Sequence, residues 1–101
     1  MAMVYLGLGS NVGACLDNLA QAVAQLQQKL NLKACSSILQ TKPLYVTDQP
    51  DFYNQVIQGE TNLAPLDLLL FLTELEQKMG RVATYLYGPR VIDIDILYYD
   101  Q

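Results

Sequence analysis

Two segments with helical periodicity alternate with short β-prone runs in the order strand, helix, strand, strand, helix, strand, and this order most restricts how the chain can fold. Met3-Val4-Tyr5-Leu6 is a buried-type strand that ends at a glycine. The run Gly7-Leu8-Gly9-Ser10-Asn11 is expected to turn the chain into a helix capped by Ser10 or Asn11, with Asp17 in its early turns. Leu16, Leu19, Ala20, Val23, Ala24, Leu26 and Leu30 then recur at helical spacing, and the helix is expected to end at Asn31. Leu32–Gln40 is expected to be the second strand, because Lys42-Pro43 forbids a continuing helix. Thr41–Asp51, stiffened by Pro43 and Pro50, is a loop, and Tyr53–Thr61 is the third strand. Pro65 opens a second amphipathic helix carrying Leu66, Leu69, Leu70, Leu72, Leu75 and Met79, which stops at Gly80. Val91–Tyr99 is the fourth strand.

That order is the split βαβ arrangement of an α+β, ferredoxin-like βαββαβ fold: an antiparallel sheet with both helices on one face. A chain of 101 residues, 51% hydrophobic and 16% charged, suffices for one core and not for two, so residues 1–101 are expected to form a single domain. Cys15 and Cys35 are expected to be free thiols. With no leader-like segment at the N-terminus, they point to a reducing cytoplasm. Apolar runs such as Leu68–Leu72 are far below the roughly 20 residues of a membrane-spanning helix. A net charge of −4 disfavours nucleic-acid partners, so a polyphosphate ligand would need a locally held cation and well-placed arginines.

Asp93 and Asp95 are two apart on the fourth strand, so both carboxylates project from one face and Ile92, Ile94 and Ile96 from the other. About 6 to 7 Å apart along a strand, two carboxylates can share one magnesium ion or bracket a pair. Alone, an Asp-x-Asp is more often a solvated strand face. Arg90, set by Gly88-Pro89, and Arg81 flank the acids and could give bidentate bonds to phosphate oxygens, or could simply pair with neighbouring carboxylates. The glycine turn could present N–H groups to an anion. It fails as a dinucleotide fingerprint, with Val12 where a third glycine belongs, and no Gly-Lys-Ser or Gly-Lys-Thr of a P-loop occurs. The loop from Thr41 to Asn54 mixes rigid prolines, aromatics and an amide, a combination suited to a flat heterocycle. With no histidine, and no serine or cysteine beside an evident base, nucleophilic catalysis has little support.

Together, Gly7-x-Gly9-Ser10-Asn11, Thr41-x-Pro43-Leu44 through Asp48-Gln49-Pro50-Asp51-Phe52-Tyr53-Asn54, Gly80-Arg81-Val82 and Gly88-Pro89-Arg90-x-Ile92-Asp93-Ile94-Asp95-Ile96-Leu97 resemble the hydroxymethyl-dihydropterin pyrophosphokinases. The resemblance spans nearly the whole chain. It implies an ATP-dependent transfer of diphosphate to 6-hydroxymethyl-7,8-dihydropterin in folate biosynthesis, giving AMP. It further implies that Asp93 and Asp95 bind two Mg²⁺ ions bridging the ATP phosphates, while Arg81 and Arg90 contact those phosphates. Thr41, Pro43 and Leu44 would line the pterin pocket, Phe52 would stack on the pterin in place of the usual tyrosine, and Asn54 would bond its edge. Association with neighbouring folate-pathway enzymes is also implied, and no nucleic acid or membrane partner.

The chain departs from the family pattern at Ala83 and Leu86, where further arginines are usual, and at Gln101, beyond which family members supply a histidine, an arginine and a second aromatic. The competing expectation is therefore a binding or assembly module that keeps the core and has lost catalysis. An RNA-recognition domain of the same topology is disfavoured by the acidic balance.

Overall fold

β1 (Ala2–Ser10) is the central strand, pairing antiparallel with β4 (Phe52–Thr61) on one side and β5 (Asp93–Asp100) on the other. The computed structural model describes residues 1–43, 48–80 and 90–100. β2 (Leu30–Cys35) and β3 (Leu39–Thr41) both pair antiparallel with the outer side of β4, giving the order β2-β4-β1-β5 with β3 beside β4. The helices are α1 (Cys15–Leu26) and α2 (Pro65–Lys78). β1 and β2 run parallel with β4 between them, and β4 and β5 run parallel with β1 between them. Two split βαβ units thus interleave, which is the expected ferredoxin-like arrangement.

Strand alternation decides which side chains meet the helices. On β1, Val4, Leu6 and Leu8 are 0–2% exposed, and they form one core with Leu19, Ala22 and Leu26 of α1, Ile57 of β4, Leu68, Leu72 and Leu75 of α2, and Ile92 and Ile94. Both helices therefore cover the same face. Met3, Tyr5, Gly7 and Gly9 point to the opposite, uncovered face, where Tyr5 meets Tyr98 edge-on at a ring separation of 5.9 Å. A register shift leaves Leu97 as a bulge on β5, so Ile94, Ile96 and Tyr99 all turn toward the core while Asp93, Asp95 and Tyr98 turn away.

Several local expectations are corrected. The run Gly7–Ser10 is strand rather than turn: it continues β1, paired with Tyr53–Val56 on one side and partly with β5 on the other. The turn comes later, at Gly13, whose φ of +76° suits glycine. Ser10 and Asn11 accordingly do not cap α1, which starts after Ala14 without a side-chain cap. The helix ends at Leu26, and Leu30, although in helical register, belongs to β2 at 4% exposure. The expected second strand is broken in two at Ser36, whose Oγ accepts the Val56 N–H at 2.9 Å while its own N–H bonds the Val56 carbonyl.

On α2 the buried stripe is Leu68, Leu72 and Leu75, whereas Leu66, Leu69 and Leu70 are 50–67% exposed. Leucine surrounds the first turns of this helix, so periodicity could not select the face; contact with β5 does. Pro65 opens α2, and Gly80 follows its end with a φ of +97°, both as expected. Among the described residues, no helix is long and apolar enough to cross a membrane.

Candidate functional site

On the uncovered face of the sheet, Gly7 and Gly9 of β1 contribute no side chain. Pairing places Asn54 of β4 and Asp93 of β5 on either side of Gly9, and Val56 and Asp95 on either side of Gly7. Neighbouring strands lie about 4.8 Å apart, so the backbones that carry the amide and the acids are roughly 10 Å apart with a glycine between them. A Cβ on Gly9 would sit 3.0 Å from Asn54 Oδ1 and 3.7 Å from Phe52 Cδ1, so both side chains overhang this position. Glycine is required there by the close approach of a neighbour, not by a turn. Gly7 is less constrained, since its Cβ would meet only Leu97 carbons at 3.4–3.5 Å.

On the β4 side, Asn54 Nδ2 donates to Thr41 Oγ1 at 2.6 Å, joining the side chains of β3 and β4 on this face. Phe52 pairs with Thr41, and Leu39 pairs with Asn54. An aromatic face, an amide and a hydroxyl thus share one end of the uncovered face. On the β5 side, Asp93 is half-buried and Asp95 exposed, and both turn away from Ile94. Among the described residues, no three His, Cys, Asp or Glu side chains converge on a point. Two carboxylates on an open face are the hard oxygen donors that a divalent cation such as magnesium would take.

A buried amide ties the two ends together. Asn11 is 1% exposed, and its Oδ1 accepts the Arg90 N–H at 2.8 Å while its own N–H donates to the Arg90 carbonyl at 3.0 Å. Its Nδ2 donates to Gln49 Oε1 at 2.8 Å and to the Pro50 carbonyl at 3.1 Å. One side chain therefore joins the segment entering β4, which carries Phe52 and Asn54, to the segment entering β5, which carries Arg90 and the acids. Asn18 adds a brace, with Nδ2 donating to the carbonyls of Val12 at 2.9 Å and Val91 at 3.3 Å and to Ser10 Oγ at 3.2 Å.

Of the residues singled out from the sequence, Asp93, Asp95, Phe52, Asn54 and Thr41 share the uncovered face, and Arg90 stands where the clasp holds the entry to β5. Pro43 follows β3 and is half-buried. Leu44, Arg81, Ala83 and Leu86 lie outside the described residues. The sequence reading missed the clasp role of Asn11 and Gln49, because their partners are 38 and 79 residues away.

The family model for 7,8-dihydro-6-hydroxymethylpterin-pyrophosphokinase (HPPK) matches residues 5–100. The chain is 40% identical over 99 residues to the 2-amino-4-hydroxy-6-hydroxymethyldihydropteridine pyrophosphokinase of Aquifex aeolicus, covering 98% of this chain and 62% of that protein. It is 41% identical over 101 residues to the protein of the same name from Haemophilus influenzae, covering 98% and 63%. The chain thus spans less than two thirds of the length of these relatives. A solved structure of HPPK-DHPS in complex with substrates superposes with a TM-score of 0.77 at 16% identity, over 98% of this chain and 28% of that one. Plasmodium falciparum HPPK-DHPS gives 0.71 at 17% identity, over 99% and 29%. At such identities the likeness is one of fold. The family match, by contrast, runs from β1 to the end of β5, through Gly7, Gly9 and the acid pair: the chain belongs to the 7,8-dihydro-6-hydroxymethylpterin-pyrophosphokinase family.

Proposed function

We propose that this chain transfers diphosphate from ATP to 6-hydroxymethyl-7,8-dihydropterin. The observation that carries the reading is the row Asn54, Gly9, Asp93, which sets a heterocycle-binding amide and a metal-binding acid on opposite sides of a residue without a side chain. Phe52 stacks on the pterin, Asn54 bonds its edge, and Thr41 and Pro43 line the pocket, as the resemblance also implies for Leu44. Asp93 and Asp95 would hold two Mg²⁺ ions, whose charge would offset that of the ATP phosphates during transfer. Arg90 and Arg81 contact the phosphates.

In the reaction, the pterin hydroxyl oxygen bonds to the β-phosphorus, the bond from that phosphorus to the α–β bridging oxygen breaks, AMP leaves, and the hydroxyl proton is released. The protein contributes position and electrostatics rather than a covalent step. The family's association with other folate-pathway activities, as in HPPK-DHPS, extends to this chain as part of the same reading.

The test is AMP release from ATP and hydroxymethyl-dihydropterin by the chain, beside Asp93→Ala and Asp95→Ala. Turnover lost in both variants, with folding retained, is the expected result. Undetectable turnover by the parent at high enzyme concentration overturns the catalytic reading. Calorimetry then identifies a binding module if pterin or Mg-ATP still binds.

A further inference from the structure

Among the described residues, Glu76 is the buried acid: it is 5% exposed and lies on the α2 stripe of Leu68, Leu72 and Leu75 that faces the sheet. A carboxylate in that position is costly unless its oxygens are hydrogen-bonded. Glu76 Oε2 accepts the backbone N–H of Ile94 at 2.7 Å. Ile94 sits between Asp93 and Asp95, and among the described residues β5 is an edge strand, bonded to β1 on one side only. An N–H on the outer side of an edge strand has no ladder partner, and an edge strand is the easiest part of a sheet to slip or twist. Here α2 supplies the missing acceptor at the one residue flanked by both acids. A one-residue slip there would turn the carboxylates toward the helices and the isoleucines to solvent.

We propose that Glu76 is a positioning residue for the acid pair: its carboxylate holds the Ile94 amide so that Asp93 and Asp95 stay opposite Gly9 and Gly7, at the spacing a divalent cation requires. This rests on the reading of Asp93 and Asp95 as magnesium ligands. The same contact could matter through charge alone, as a third carboxylate drawing cations to the face. Two variants separate these roles. Glu76→Gln keeps an oxygen acceptor of the same reach and loses the charge; Glu76→Asp keeps the charge and falls one methylene short of Ile94.

The experiment is binding of Mn²⁺-ATP to the full chain, read by water-proton relaxation enhancement, at a temperature well below each variant's melting point. Positioning predicts that Glu76→Asp raises the half-saturating concentration about tenfold, equivalent to about 1.4 kcal/mol, while Glu76→Gln stays within about twofold of the parent. Normal binding by both variants, or a defect confined to Glu76→Gln, overturns the proposal. If Glu76→Asp does not fold, Glu76→Gln decides alone: a loss beyond about twofold overturns it, and parental affinity supports it. Asp93→Ala is the separate control. If it leaves Mn²⁺-ATP binding unchanged, or the parent does not bind, the acid-pair reading fails and the proposal fails with it, whereas a failure confined to the Glu76 variants leaves the acid pair standing.

Discussion

The two faces of the sheet are built from the same strands and do opposite work. Facing the helices, Val4, Leu6, Leu8, Ile57 and Ile94 are at most 5% exposed and pack against leucines of α1 and α2. Facing away, the same strands present Gly7, Gly9, Asn54, Asp93 and Asp95, with no helix of the described residues laid over them. On β1, and on β5 up to the bulge at Leu97, a period of two residues separates the packed side chains from the candidate site residues. At one end of the sheet the buried Asn11 amide and the half-buried Asn18 amide tie together the segments entering β4 and β5.

The sharpest way to break this division is to exchange its effects. Asp95→Ala should lower turnover by about 10² to 10³-fold, the range for removing one electrostatic contact to a transition state, with thermal melting unchanged. A drop in stability of comparable size would mean that the uncovered face also holds the fold. On the covered face, Leu72→Ala should cost about 2 to 5 kcal/mol in urea unfolding while substrate affinity per folded molecule stays at the parent value. Asn11→Ala should do some of both: about 1 to 3 kcal/mol of stability, because the Arg90 N–H, Gln49 Oε1 and the Pro50 carbonyl lose a buried partner, together with weaker binding of ATP and pterin.

Gly7 and Gly9 refine the comparison further. Gly9→Ala should raise the KM for pterin about tenfold, because its Cβ would lie 3.0 Å from Asn54 Oδ1, while Gly7→Ala, which meets only Leu97 at 3.4 Å, should change it by less than about twofold. Equal effects at the two positions would show that Asn54 is not held over Gly9 in solution. The smallest effect is expected at Leu69→Ala on the exposed side of α2, within about 0.5 kcal/mol of the parent in the same urea titration.

Legibility from sequence followed the distance over which each feature is decided. Element order, the two helices and the Pro65 and Gly80 boundaries depend on neighbours within a turn or two, and they were readable. So was the division of Ile94 from Asp93 and Asp95, since alternation is a property of one strand. The buried face of α2 was not readable, because Leu66, Leu69 and Leu70 are as apolar as Leu68, Leu72 and Leu75, and only docking on β5 tells them apart. The strand character of Gly7–Ser10 was equally hidden: two glycines look like a turn until partners on both sides hold them extended.

By itself, the order of residues determined the α+β architecture, the acid pair's shared face and the motifs by which the family is recognised. Tertiary structure alone decided what those motifs are for in space. It brought Asn54 and Asp93 to the two sides of Gly9, made Asn11 a clasp between distant segments rather than a helix cap, and set Glu76 against the amide between the acids. The reason is physical: patterning acts through local periodicity and burial, whereas hydrogen-bond partners 18 to 79 residues apart are chosen only when strands take their places in the sheet.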